Sequence, residues 1–143
     1  MKVEAVLATK GREVATTDPK ATLAQAAQKL KLEGIGALVV LDGWRVAGII
    51  SERDIVRSFA EHRGEASDIK VADVMTRDVI FCGPEDNLTR VLEVMTRRRV
   101  RHLPVMLDGK LLGLVSIGDA VKHRLGELEM EAAVLRDAYI AGH

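Results

Sequence analysis

The sequence predicts a mixed α/β (α+β) fold: two β-α-β-β-α repeats packed by pseudo-twofold symmetry, followed by a C-terminal helix. Three observations carry this reading. Sliding the chain against itself by 65 positions gives nine identities between residues 14–56 and 79–121. They are Val14/Val79, Pro19/Pro84, Leu23/Leu88, Leu38/Leu103, Val40/Val105, Gly48/Gly113, Ser51/Ser116, Asp54/Asp119 and Val56/Val121. Within each copy, apolar spacing switches from helical to strand-like and back. The chain has 143 residues, 48% of them apolar, which is enough for a core but leaves little beyond two half-domains and a tail.

Each copy opens on a short β-prone piece, Val14 to Thr16 or Val79 to Phe81, that runs into a Pro turn. A helix follows, with Leu23, Ala26, Ala27 and Leu30 on one face in the first copy. Leu88, Val91, Leu92 and Met95 take those places in the second. Two strands come next, Ala37 to Leu41 and Arg45 to Ile50 around Asp42-Gly43, then His102 to Leu107 and Leu111 to Val115 around Asp108-Gly109. Asp-Gly between apolar runs is a hairpin signal, since both residues tolerate positive φ. A second helix is predicted from Ser51 and from Ser116. The polar stretch His62 to Lys70 reads as the connection, giving boundaries of 1–62, 63–123 and a 124–143 helical extension.

Composition excludes several classes. Lys plus Arg is 21 and Asp plus Glu is 21, so the basic excess of a nucleic-acid binder is missing. Four aromatic rings, Trp44, Phe59, Phe81 and Tyr139, supply no stacking platform. One cysteine, Cys82, excludes an internal disulfide and reads as a small buried strand-end residue. No apolar run is long enough to span a bilayer and no signal peptide opens the chain, so a soluble cytoplasmic protein without membrane partners is expected. The histidines His62, His102, His123 and His143 lack metal-ligand spacing, and nothing resembles a catalytic constellation, so no enzyme, metal or catalytic cofactor is expected.

The motif that could carry chemistry is Gly-x-x-Ser-x-x-Asp, at Gly48-Ser51-Asp54 and Gly113-Ser116-Asp119. One reading is a capping box, with Ser as N-cap and the carboxylate reaching back. The other is a ligand site. Asp accepts a ribose diol, Ser and helix-start N–H groups meet a phosphate, and Gly admits a ligand close to the backbone. Retention of all three residues in both copies favours the ligand role. Arg97 and Arg98 read as a solvated helix end. Arg101, His102, Arg53 and Lys10 are placed as phosphate candidates.

With these residues in view, the chain resembles a tandem cystathionine β-synthase (CBS) domain pair, a Bateman module, over residues 3–123. The resemblance rests on the duplicated unit, both Gly-x-x-Ser-x-x-Asp ends and the run Arg101-His102-Leu103-Pro104-Val105. It implies binding of AMP, ADP, ATP, NAD(H) or S-adenosylmethionine in an inter-repeat cleft. Asp54 and Asp119 would take the ribose hydroxyls, with Ser51 and Ser116 near ribose or phosphate. The purine would lie against Ile35-Gly36-Ala37 and Val100-Arg101-His102, closed by the turns at Asp18 and Gly83. The first copy has Gly36-Ala37-Leu38-Val39-Val40 in place of the second copy's Pro-containing basic run, so the two sites are expected to be unequal. Such a module would sense energy or redox state and signal by inter-repeat rearrangement to a regulated protein, still unknown. The alternative is a structural or protein-interaction adaptor with vestigial clefts.

The C-terminal segment repeats apolar residues at 4-3-4-3-4 spacing, Val121, Leu125, Leu128, Ala132, Leu135 and Tyr139. Glu127, Glu129, Glu131, Lys122, Arg124 and Arg136 flank this seam. It either packs on its own module or pairs with a second chain, and the resemblance implies a homodimer with four repeats in a disc. Zero net charge therefore hides two local fields, a basic one at Arg97 to His102 and an acidic one at Glu127 to Glu131.

Overall fold

A computed structural model describes residues 1–142. Packing divides the chain into two units, Met1–Arg12 with Phe81–His143, and Glu13–Ile80. The segment Met1–Arg12 thus packs with a part of the chain that begins only at Phe81.

The unit Glu13–Ile80 holds β1 (Thr16–Thr17), α2 (Leu23–Glu33), β2 (Ala37–Asp42), β3 (Arg45–Ser51) and α3 (Glu52–Glu61). β1 pairs parallel with β2, which pairs antiparallel with β3. Thr22 caps α2 in a reciprocal capping box with Gln25, which satisfies two free donors at the helix start. Leu23, Ala26 and Leu30 face inward at helical spacing and meet Leu38, Val40, Ile50 and Ile55 in one cluster. The connection after α3 is polar only in part. Ala66, Val71 and Met75 are buried in that same cluster, and Val71–Asp73 forms a 3-10 turn. Ile69 and Ser67 offer their carbonyls to the N–H groups of Leu23 and Ala24.

The second unit repeats this order with α1 (Val3–Lys10) added: α4 (Leu88–Arg98), β4 (His102–Leu107), β5 (Lys110–Ser116) and α5 (Ile117–Ala141). The short strand at its opening reduces to a parallel bridge between Cys82 and Val105. On α1, Val3, Val6 and Leu7 are buried, and the Met1 carbonyl accepts from the Leu88 N–H as the Ile69 carbonyl does from Leu23. Both hairpins carry a register shift at the same place, after Val40 and after Val105.

The hairpin turns are not equivalent. Asp42 pairs with Arg45, so the first loop is Gly43-Trp44, with positive φ at Gly43 only, as a type II′ turn requires. Leu107 pairs with Lys110, so the second loop is Asp108-Gly109, with φ of 51° and 76°, as type I′ requires. The expected Asp42-Gly43 turn therefore lies one residue further along.

α5 is one continuous helix, and beyond Ala120 none of its residues is buried. Although α5 has 25 residues, no helix among the described residues is long and apolar enough to cross a membrane.

Candidate functional site

The two Gly-x-x-Ser-x-x-Asp segments occupy the same place in their units, where the last strand passes into a helix. Ser51 is the N-cap of α3 and Ser116 the N-cap of α5. In the first, the Ser51 N–H and hydroxyl both donate to Asp54 Oδ2, at 2.9 and 3.0 Å, and the Asp54 N–H donates back to Ser51 Oγ. In the second, the Ser116 N–H and hydroxyl donate to Asp119 Oδ2 at 3.2 and 2.8 Å, with the Asp119 N–H returning to Ser116 Oγ. Capping is thus realised in both copies. These bonds all use Oδ2, so each carboxylate keeps its second oxygen outside the box.

The start of the preceding hairpin lies against each box. The Glu52 N–H donates to the Gly36 carbonyl and the Ile117 N–H to the Arg101 carbonyl. Ala37 is paired across the ladder with Ser51, and His102 with Ser116. Ile35, Gly36 and Ala37 therefore gather with Ser51, Arg53 and Asp54 in one unit. Val100, Arg101 and His102 gather with Ser116 and Asp119 in the other. Arg53 and Arg101 are exposed. Asp18 does not join this group within its unit. β1 runs parallel to β2, and Asp18 follows Thr17, which pairs with Val40, three residues (about 10 Å) along the strand from Ala37. Its carboxylate accepts from the Lys20 N–H and closes its own turn. Gly83 sits likewise beyond the Cys82–Val105 bridge, with its N–H donating to Asp86 Oδ2.

Glycine in the motif has a packing reason of its own. A Cβ at Gly48 would stand 2.7 Å from both Met75 Sδ and the Thr76 carbonyl oxygen, and one at Gly113 would stand 2.6 Å from Leu7 Cδ2. The missing side chain makes room for the segment Met75–Thr76 at Gly48 and for α1 at Gly113. The sequence signal for this was present but easily passed over: Val3, Val6 and Leu7 are spaced as one helix face.

Lys10, at the end of α1, separates the two sites electrostatically. Its ammonium donates to Asp119 Oδ2 and to the Leu114 carbonyl, both at 2.6 Å. Among the described residues no cation forms an ion pair with Asp54. Burial alone would raise the Asp119 carboxyl. The hydrogen bond from Lys10, then those from the Ser116 hydroxyl and N–H, then the Lys10 charge outweigh it and hold the group below its ordinary 3.8. A carboxyl depressed in the folded state stabilises above its unfolded value, and that contribution is lost as pH falls through the folded value. In an acid titration, the unfolding midpoint below about pH 4 should fall more steeply for wild type than for Lys10→Met. Equal slopes would show that the pair contributes nothing.

Cys82 is buried, and burial followed by the charge of Asp86 pushes its thiol up to about 12, so it stays protonated at neutral pH. Among the described residues no three His, Cys, Asp or Glu side chains gather as a metal site, and His143 lies outside the described residues.

The CBS-domain family profile matches residues 4–61 and again 71–126. The chain belongs to the CBS-domain family. A mitochondrial CBS domain-containing protein of Arabidopsis thaliana, CBSX3, is 37% identical over 132 residues, covering 89% of this CBS pair and 63% of that protein. The pair thus spans less than two thirds of that relative. The crystal structure of the CBS-domain protein ATU1752 from Agrobacterium tumefaciens superposes with a TM-score of 0.84 at 38% identity, covering 87% of this chain and 99% of that one. At 22% identity the CBS pair of protein MJ0100 shares the fold, with a TM-score of 0.79 over 89% of this chain and 98% of that one. It was solved with 5′-methylthioadenosine and S-adenosylmethionine bound.

Proposed function

We propose that this CBS pair is a non-catalytic regulatory module that binds an adenosine-containing small molecule at its two helix starts and reports occupancy to a partner protein in the cytoplasm. The candidate ligands are AMP, ADP, ATP, NAD(H) and S-adenosylmethionine. The observation that carries the reading is the repeated pairing of an N-cap serine with an aspartate whose second oxygen lies outside the capping box. A carboxylate oxygen left outside the box at the positive end of a helix suits a ribose diol with a phosphate nearby. The adenosine compounds bound by MJ0100 support the same class. Asp54 and Asp119 would take ribose, with Ser51, Ser116, Arg53, Arg101, His102 and Lys10 around ribose and phosphate. Ile35, Gly36, Ala37 and Val100 would line the base, and Asp18 is the weakest candidate by position. For signalling, the ligand must bind two states of the module with different affinity.

The test is calorimetry with AMP, ATP, NADH and S-adenosylmethionine on protein stripped of carried-over ligand. Asp54→Ala and Asp119→Ala are expected to weaken binding by about ten- to a hundredfold, the range for a lost charged hydrogen bond. Since alanine also removes the cap, Asp54→Glu and Asp119→Glu separate the roles. Glutamate satisfies a capping box but shifts the carboxylate. Loss of affinity with an unchanged unfolding midpoint assigns the carboxylate to the ligand. If no nucleotide binds, or if all four variants bind like wild type, the sensor reading fails and the adaptor reading stands.

A further inference from the structure

The C-terminal end of α4 carries four arginines within five residues, Arg97, Arg98, Arg99 and Arg101, and all four are exposed. The first copy ends α2 at the equivalent place with Leu32, Glu33, Gly34 and Gly36. One copy thus sets a single carboxylate where the other sets four guanidinium groups. The two turns share one backbone path. The N–H of Ile35 returns to the Leu30 carbonyl and that of Val100 to the Met95 carbonyl. Both C-caps are left-handed, with φ of 64° at Gly34 and 53° at Arg99. Glycine takes that conformation freely, whereas an arginine there works against its own Cβ. Residues held in this way collect at binding sites and switches.

Neither the helix nor the neighbouring carboxylates account for these charges. The negative end of a helix amounts to about half an elementary charge. Among the described residues, none of the four guanidiniums has an ion pair or a side-chain hydrogen bond, whether to Glu93 one turn back or to the last carbonyls of α4. Their donors therefore form an open array of planar forks, which match carboxylates two bonds at a time.

Size and setting select among anionic partners. The cluster covers the last turn of α4 and the entry to β4, on the order of 10 Å, the reach of about three residues of extended peptide. A nucleic-acid surface neutralises phosphates along a longer track and adds aromatic faces for bases. Here the chain is neutral overall, and no Phe, Trp or Tyr occurs from Cys82 to Ala138. An interfacial membrane site adds exposed apolar side chains to its charges, whereas Val100, the apolar residue within the stretch, is half-buried.

We propose that this arginine cluster, Arg97 to Arg99 with Arg101 at its edge, docks a short acidic peptide segment of a partner protein, pairing its guanidiniums with Asp or Glu carboxylates. The cluster adjoins the candidate ligand site, since the Arg101 carbonyl accepts from the Ile117 N–H at the start of α5. The docking stands on the arginines alone and does not depend on a nucleotide being bound there.

The test is fluorescence anisotropy of the full chain with a labelled hexaglutamate peptide at low ionic strength. Saturable binding is expected, weakened about tenfold or more by Arg97→Glu with Arg98→Glu and Arg99→Glu. Lys20→Glu with Lys31→Glu and Arg57→Glu, all exposed in the other unit, changes the net charge equally and should leave affinity within about twofold. Arg99→Gly frees the backbone and removes one fork. It should bind the peptide about threefold more weakly, with an unfolding midpoint at or above that of wild type. Hexathymidylate, and vesicles of phosphatidylserine in phosphatidylcholine, should bind more weakly than the peptide. Absence of saturable peptide binding overturns the proposal, as does an equal loss in the two triple variants, or tighter binding of the oligonucleotide or the vesicles. An Arg99→Gly protein that loses stability and keeps its affinity overturns it too, because the arginine would then serve the fold.

Discussion

Gly48→Ala is expected to lower the unfolding midpoint by about 10 °C, equivalent to roughly 3 kcal/mol at the upper end of overpacking costs. The added methyl would meet Met75 Sδ and the Thr76 carbonyl oxygen, each at 2.7 Å. Met75 could swing its thioether aside, but the carbonyl cannot yield so cheaply. It accepts from the Ile49 N–H while the Thr76 N–H donates back to the Ile49 carbonyl, at 3.0 and 2.9 Å. Moving Thr76 away therefore lengthens both bonds of the bridge that holds that segment to β3. Ile49 is buried, and leaving its backbone groups unmade is costly even though Thr76 itself is exposed. Thermal and urea unfolding of the variant measure the effect. A midpoint within about 2 °C of wild type would show that β3 relaxes freely and that the close approach is incidental.

What the sequence disclosed follows from the range over which each interaction acts. The helix starts at Ser51 and Ser116, and the inward faces of α2 and α4, were legible because capping and helical spacing involve residues three or four apart. The hairpins were legible too, but the Asp42-Gly43 turn slipped by one residue. Its loop is fixed by the pairing of Asp42 with Arg45, and a local dipeptide does not reveal that register. Contacts between distant parts of the chain were not legible. Lys10 reaches Asp119 across 109 positions, and nothing near either residue announces the pair. The motif glycines read as positions of close approach, but which chain segments approach them is not visible locally. The atoms that approach belong to Met75 and Leu7, in segments too short to show a strong period.

Leu7→Ala and Gly113→Ala are each expected to destabilise the chain, yet the double variant should cost less than the two effects added. Leu7 is almost fully buried on α1, and its truncation removes a core side chain, which costs about 3 kcal/mol with the cavity included. A methyl at Gly113 would stand 2.6 Å from Leu7 Cδ2 and 3.3 Å from Cδ1. Here only a side-chain end must move, with no backbone oxygen in the way, so the cost should be nearer 1–2 kcal/mol, about half that at Gly48. With alanine at both positions, the new methyl enters the space that Leu7 vacates and clashes with nothing. A coupling of about 1 kcal/mol or more in the restoring direction is the expected outcome of the double-mutant cycle. The same cycle run with Leu7→Ala and Gly48→Ala is the control, because Gly48 meets Met75 and Thr76 and should add without coupling. Coupling of equal size in both cycles would mean that α1 acts through general stability and not through the hole that Gly113 leaves for it.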